Sequence, residues 1–487
     1  MSERAGQPIP RQGRAAALFI GGAALFLAAL DFSINVSLPT MRDSLHETLV
    51  SVQWVIIIYH AARSGTGFVA GGLADRFGLK WLLLSGAVAY TLAVGLIAMQ
   101  SGLPGIVALR VLQGVGVAIL FTLGPALVAK AFAPEGASGV RGPSFRRGAA
   151  LGITLAAVGA GQLAGTLGGG WLVQNFDWRA VFWARVPVGV AIILAGALML
   201  KEARPAKYAR HASERAGRFD WPGAALLFSF LFLLVLALSF ARLDGWTALR
   251  PAACFAASAA LLGGFIWWSR RAPRPLIPAG LWAVEGVVPD ALSNLIATTG
   301  TFVMWFLFPF YVSDVLGRSP LTLGAMLATM AAAGSLGSVA GGWLGERSGE
   351  RAATFLAALV SAGGVALTGV LGRGGDMGAM AGGVALLGFG FGMHQAASYA
   401  LALRSVPARM AGAASASLSV TQTIGTVASV SLMTMFFNHV RPGQGFAGAY
   451  SNTFLLAAGV TVTAGVVVLR PGGRTHGGIA SGQRKAA

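Results

Sequence analysis

The chain has 487 residues, 55% of them hydrophobic and only 11% charged; a soluble domain carries roughly a quarter charged residues, so a water-soluble globular protein is excluded. The formal charge of +19, from 36 Lys and Arg against 17 Asp and Glu, would suit a nucleic-acid binder, but the basic residues fall between apolar runs, as in cytoplasmic loops that face anionic lipid. The single cysteine, Cys254, excludes an internal disulfide and a cysteine metal cluster.

A membrane-crossing helix needs about 20 mostly apolar residues. By that measure the sequence predicts fourteen spans, centred near Phe26, Ala61, Ala89, Gly116, Gly159, Val190, Phe232, Ala260, Thr301, Ala331, Gly363, Leu387, Val427 and Val460. The first run is too long for a signal-peptide core, carries Asp31 and is followed by Pro39, so it is read as a retained helix. The alternation of a membrane barrel is absent, and the fold class expected is an all-α polytopic membrane protein. Most of the basic loop residues fall on one side when the N-terminus is placed inside, which predicts both termini in the cytoplasm. The charged stretch Lys201–Arg218 reads as a linker. The expected division is a six-helix bundle over 1–200, a cytoplasmic linker over 201–221, two extra spans over 222–278, a second six-helix bundle over 279–470, and a Gly-rich basic tail over 471–487, expected to be disordered.

Between the second and third spans stands Gly71–Lys80, Gly-Gly-Leu-Ala-Asp-Arg-Phe-Gly-Leu-Lys. The pattern returns at Gly342–Arg351, aligning Asp75, Arg76, Gly78 and Lys80 with Glu346, Arg347, Gly349 and Arg351. Paired loops in two apolar halves mark an internal repeat, as many transporters have. The Asp75 carboxylate can face the positive end of a neighbouring helix, with Arg76 locking it, a contact of about 0.3–1 kcal/mol when exposed. Glu346 would do the same in the second half. A plain charged turn is the other reading.

Several polar residues lie inside the spans. Asp31 sits in the first, in Leu30-Asp-Phe-Ser-Ile-Asn-Val-Ser-Leu-Pro39; a charge at mid-membrane is costly and must be paired or intermittently neutral. Such a group suits proton coupling, although a static buried ion pair would look the same in sequence. Gly161, Gly165 and Gly169 recur every fourth residue in the fifth span, sharing a face that a neighbouring helix can approach closely. His60 and Arg63 in the second span have no nearby acid; Arg63 reads as an anion contact, or as a partner of Asp31 or of a backbone carbonyl, or as a snorkelling side chain. Arg185, near the outer end of the sixth span, is expected to snorkel to the surface. Asn35, Tyr59, Gln113, Asp290, Asn294, Trp305 and His394 are further cavity candidates, and Trp54, Phe121, Phe302 and Met393 could line a greasy pocket or face lipid. The sequence holds neither a phosphate-binding Gly-x-x-x-x-Gly-Lys-Ser/Thr loop nor spaced metal-ligand histidines, so no ATP, cofactor, metal or enzymatic reaction is expected.

Together these motifs resemble the major facilitator superfamily, and within it the fourteen-span drug:proton antiporters. Gly71–Lys80 resembles the family's loop motif. Arg110, Gln113, Gly114 and Gly116 resemble its fourth-span motif, whose Arg is linked to proton coupling; the resemblance makes Arg110 the expected partner of Asp31. Leu30–Pro39 resembles the first-span motif of the fourteen-span branch, and Gly165-Thr-Leu-Gly-Gly-Gly170 the antiporter motif of span five. The chain departs from that pattern at Thr166, where the motif has Pro; at Arg185, where the branch has Asn; at Glu346, where the loop has Asp; and at His60 and Arg63. What the resemblance implies is a proton-coupled exporter of small amphipathic compounds by alternating access. A monomer seated in a bacterial inner membrane is expected, its partners being substrate, protons and lipid. A dedicated exporter of an anionic or neutral metabolite, siderophore or lipid remains open, as does a non-transporting sensor or scaffold.

Overall fold

The computed structural model describes residues 11–132, 144–200, 220–245, 248–273, 275–277, 279–284, 286–372, 374, 376–406 and 410–469. Among them there are helices and turns and no strand. Helix α1 (Arg11–Ala29) passes through a 3-10 turn, Leu30–Ser33, into α2 (Ile34–Ser44), and a short α3 (Leu49–Val52) leads to α4 (Trp54–Phe77). Then follow α5 (Leu79–Ala98), α6 (Leu103–Ala131) and α7 (Ser144–Leu163), which runs through a π turn, Ala164–Gly168, into α8 (Gly169–Asn175). After α9 (Trp178–Trp183) and α10 (Arg185–Met199) come the pair α11 (Trp221–Asp244) and α12 (Leu249–Ser269). The remainder is α13 (Val287–Thr301), α14 (Val303–Phe310), α15 (Pro320–Ser348), α16 (Glu350–Gly372), α17 (Met377–Ser405), α18 (Ala411–Ala428) and α19 (Thr434–Leu469).

Eleven helical stretches among the described residues are long and apolar enough to cross a membrane. Two other long helical stretches, α4 and the α7–α8 rod, fall outside that set. One of the eleven, Ser417–Leu469, is 53 residues long, more than twice the ~20 that a crossing needs. It breaks at Gly445, where φ is 67°.

The helices before residue 200 pack on one another, with α6 against α1, α4 and α5, and α10 against α5. Those from α13 onward do likewise: α17 lies against α15 and α16, and α19 against α13 and α16. The pair α11–α12 leans on α4 through α11. Between the two groups, α14 meets α2, α18 meets α4, and α15 runs along α7, its π turn and α8. The outer faces are apolar: Leu92, Leu198, Leu336 and Val339 are exposed. In water such faces would be an association hazard; in lipid they are the solvated surface, and helices are held together by close packing and polar links instead.

The loop repeat is visible in the backbone. Gly78 ends α4 with φ 88° and ψ 143°, and Gly349 ends α15 with φ 84° and ψ 145°. That region is nearly closed to residues with a Cβ. Gly78→Ala and Gly349→Ala are each expected to cost about 1–3 kcal/mol, read as a lower midpoint of thermal unfolding of the purified protein.

The side chains of Asp75 and Arg76 lie outside the described residues. Gly71, on the exposed side of α4, has open space where a Cβ would be. Lys80 donates from Nζ to the Ala197 carbonyl at 2.9 Å, tying α5 to the end of α10. The expectation for Glu346 is corrected. Its side chain is exposed and has no ion-pair partner among the described residues, and Arg347 lies over the Trp343 ring at 4.2 Å. The acid that bridges helices here is Glu350, paired with Arg404 of α17. Helix geometry explains the shift: Glu346 precedes the Gly349 turn on the exposed side of α15, whereas Glu350 opens α16 and faces α17.

Candidate functional site: a buried carboxylate network under a glycine face

The site grows from a local break in the first span. The Ser33 hydroxyl donates to the Leu30 carbonyl at 2.6 Å, Asn35 Nδ2 to Phe32 at 3.1 Å and the Ser37 hydroxyl to Ile34 at 2.9 Å. These i−3 bonds compete with the regular helical ladder, and the backbone narrows to 3-10 at Leu30–Ser33. Asn35 is buried and spends its amide on this bond rather than on a cavity.

Asp31 stands in that turn, 6% exposed. Its Oδ1 accepts from the Tyr90 hydroxyl at 2.8 Å, Gln113 Nε2 at 2.6 Å and Arg185 Nη1 at 2.6 Å. Its Oδ2 meets no donor among the described residues. The charged partner is therefore Arg185 rather than Arg110. Arg185 does not snorkel: it is 2% exposed, and its Nη2 donates to the Ser33 hydroxyl. A carboxylate within hydrogen-bond reach gives the guanidinium a better partner than a distant interface.

Arg110 acts one step removed. Its Nη1 donates to Gln113 Oε1 at 2.8 Å, its Nε donates to the Val55 carbonyl at 2.9 Å, and its guanidinium lies 4.1 Å from the Tyr59 ring centre. Gln113 thus accepts from one arginine and donates to the acid. The Asp31 carboxylate is thus paired directly with Arg185 and linked through Gln113 to Arg110, and its Oδ2 meets no donor among the described residues.

The glycine face lies against this turn. A Cβ on Gly161 would stand 2.5 Å from the Phe26 carbonyl oxygen, one on Gly165 2.8 Å from that of Leu30, and one on Gly169 2.7 Å from Ser33 Cβ. Gly170 faces the other way, toward the Pro320 carbonyl and Gly324 of α15. Thr166, in the place of the motif's proline, turns its hydroxyl onto the Gln162 carbonyl at 2.9 Å inside the π turn. The local irregularity of span five is present without proline; π turns are a usual cause of helix bends.

Aromatic contacts join the two helix groups beside the network. Phe32 meets Trp305 with ring centres 4.9 Å apart, and His60 meets Phe302 edge-on at 5.5 Å. Nearer the end of α2, Arg42 donates to both oxygens of Asp314, at 2.5 and 3.0 Å. This bridge ties the groups together at the end of the molecule opposite the Gly78 and Gly349 turns. Arg63 is half-buried with its guanidinium 4.4 Å from the Phe121 ring centre; it is not paired with Asp31, and no carboxylate pairs with it among the described residues. His394 is buried in α17. Asp290 and Asn294, expected to line a cavity, are instead buried between helices of the second group.

The sequence reading missed Arg185 as a site residue. Its signal was present: an arginine inside a span where the branch has Asn.

Comparison with known proteins gives the following. The family model described as Major Facilitator Superfamily matches residues 20–284 and 291–486. The tetracenomycin C resistance and export protein of Streptomyces glaucescens is 29% identical over 80% of this chain and 70% of its own length. The cephamycin export protein CmcT of Amycolatopsis lactamdurans is 32% identical over 63% of this chain and 61% of its own length. A probable actinorhodin transporter of Streptomyces coelicolor is 29% identical over 94% and 79%. Among solved structures, the peptide transporter POT in complex with sulfate superposes with a TM-score of 0.65 at 14% identity, covering 96% of this chain and 95% of that one. The xylose transporter XylE from E. coli, in a partially occluded inward-open conformation, gives 0.63 at 13% identity, covering 94% and 98%.

Proposed function

The chain belongs to the Major Facilitator Superfamily, and we propose that it is a proton-coupled exporter of small amphipathic molecules that works as a monomer in a bacterial inner membrane. In this reading the chain crosses the membrane fourteen times, with both termini in the cytoplasm. Two six-helix bundles flank the extra pair α11–α12 and rock about a central site. The fourteen crossings are the eleven apolar stretches, with Ser417–Leu469 counted twice at Gly445, plus α4 and the α7–α8 rod. The names of the relatives support export.

The observation that carries the coupling is Asp31, buried, ion-paired through Oδ1 and open at Oδ2. A proton arriving at Oδ2 neutralises the acid and weakens its hold on Arg185 and Gln113. The span that bears it is then released from its neighbours. One charge moving through 100 mV supplies about 2.3 kcal/mol, enough for a substrate gradient of roughly fiftyfold at ~1.4 kcal/mol per decade. In this cycle the Arg42–Asp314 bridge closes the outer end, and the glycine face lets span five slide along the Asp31 turn. The Gly78 and Gly349 turns serve as hinges at the inner end.

Inverted membrane vesicles with an imposed proton gradient test the assignment, using ethidium as probe beside a growth-inhibition panel. Asp31→Asn is expected to abolish gradient-driven uptake while the purified protein still binds the dye. Full proton-driven uptake by that variant would refute the role of Asp31.

A narrower reading, a dedicated exporter of an anionic or neutral compound, draws on Arg63. A half-buried guanidinium resting on Phe121 can receive an anionic group. If Arg63→Ala changes which compounds are carried at unchanged protein level, Arg63 belongs to the substrate site.

A further inference from the structure

Asp290 poses a problem that Asp31 does not. It lies in the first turn of α13 and is wholly buried. Its Oδ1 accepts one bond, from the Ser398 hydroxyl of α17 at 2.7 Å. Its Oδ2 meets no donor among the described residues. One turn further along the same face, Asn294 is equally buried, and its Oδ1 also meets no donor. Two buried acceptors thus stand four residues apart, both unsatisfied, in a place where each missing donor is costly.

Turning the Asn294 amide over does not help. Its Nδ2 donates to the Leu418 carbonyl at 2.9 Å and to Thr421 Oγ1 at 3.0 Å, and the Thr421 hydroxyl already spends its hydrogen on that same carbonyl at 3.0 Å. A flipped amide would set Oδ1 against two acceptors. The orientation is therefore fixed by its neighbours on α18.

Among the described residues the surroundings supply no counter-charge. On α17 the groups in this region are Ser398, whose hydroxyl bonds Asp290, and the adjacent Tyr399. His394 lies further along α17, and Arg404 at its end is paired with Glu350 of α16. Arg351 lies beside Glu350 at the start of α16; α18 carries no charged residue; and α19 offers the Ala464 carbonyl, which accepts from Ser293. In α4, the helix of the first group that meets α18, the cation Arg63 is held on Phe121. The partial positive charge at the start of α13 is small against a full buried charge, and the Asp290 amide is already bonded to the Gly286 carbonyl at 3.0 Å.

We propose that Asp290 is a second proton-binding site: a neutral carboxyl that accepts from Ser398 through Oδ1 and donates from Oδ2 toward Asn294 Oδ1. One proton satisfies both orphaned acceptors and removes the buried charge. The proton comes from water and returns to water when the α13–α17–α18 contact opens, and no other bond changes. Resting on the proton-coupled reading above, this makes Asp290 the proton carrier of the second bundle, beside Asp31 in the first.

Infrared difference spectroscopy of the full chain in liposomes, with no substrate present, tests this. At neutral pH the wild type is expected to show the carbonyl stretch of a protonated carboxyl. The band should vanish in Asp290→Asn and persist in Asp31→Asn. Ser398→Ala and Asn294→Leu keep the carboxyl but each remove one hydrogen bond, so each should shift the band; they decide the matter if Asp290→Asn does not fold. A wild type without the band overturns the proposal, as does a band indifferent to Asp290→Asn, or one unmoved by both neighbour variants. Because this readout needs no transport, it separates from the export reading, whose failure would appear as absent proton-driven flux with the band intact.

Discussion

Breaking the Asp31–Arg185 pair from one side is expected to cost more than removing it from both. Asp31→Asn leaves a guanidinium buried with only neutral partners, and Arg185→Gln leaves Asp31 with Arg110 reached only through Gln113. Losing one member of a buried pair costs about 3–5 kcal/mol, because the other charge stays out of water. The double variant Asp31→Asn/Arg185→Gln buries neither charge and keeps side chains of similar volume. Its unfolding free energy is expected to lie above that of either single variant, a strongly non-additive cycle. Thermal and denaturant unfolding of the four purified proteins measures it; additive losses would mean that the two groups do not interact as the geometry places them. Transport separates from stability here, since the recovered double variant lacks the carboxyl and is expected to remain uncoupled.

Because the added methyl group presses on the turn that bears Asp31, Gly165→Ala is expected to be strongly damaging. Its Cβ would stand 2.8 Å from the Leu30 carbonyl oxygen and 3.1 Å from the Leu30 Cα. These are backbone atoms of the turn that holds Asp31, so no rotamer change relieves the clash. Overpacking of this kind costs about 1–3 kcal/mol, and here it also pushes the first span away from the site. Gly168→Ala is the control: nothing lies within 4 Å of its added Cβ, and its stability and transport are expected to stay close to wild type. The same vesicle assay and unfolding curves compare the two. Equal behaviour of the two variants would remove the glycine face from the mechanism.

Much of this was legible in the residues. Apolar runs with few charges predict helices that cross lipid, because backbone groups there must be satisfied within the segment. The repeated Gly78 and Gly349 turns follow from the aligned loops, since only glycine tolerates their backbone angles. Small residues every fourth position mark a helix face, and three of them do lie against the first span.

The sequence by itself determined the chemical class of this protein: an all-helical membrane chain of the superfamily, with an acid in its first span and glycines in its fifth. These features depend on composition and spacing along one helix, and local periodicity carries both. Only the tertiary structure decided the partners. Arg185 rather than Arg110 holds Asp31, Glu350 rather than Glu346 bridges α16 to α17, and Asp290 is sealed between helices instead of facing a cavity. The reason is that pairing across helices depends on the rotation of each helix about its axis. That rotation is set by the packing of all its neighbours together, so it is not written in any one stretch of the chain.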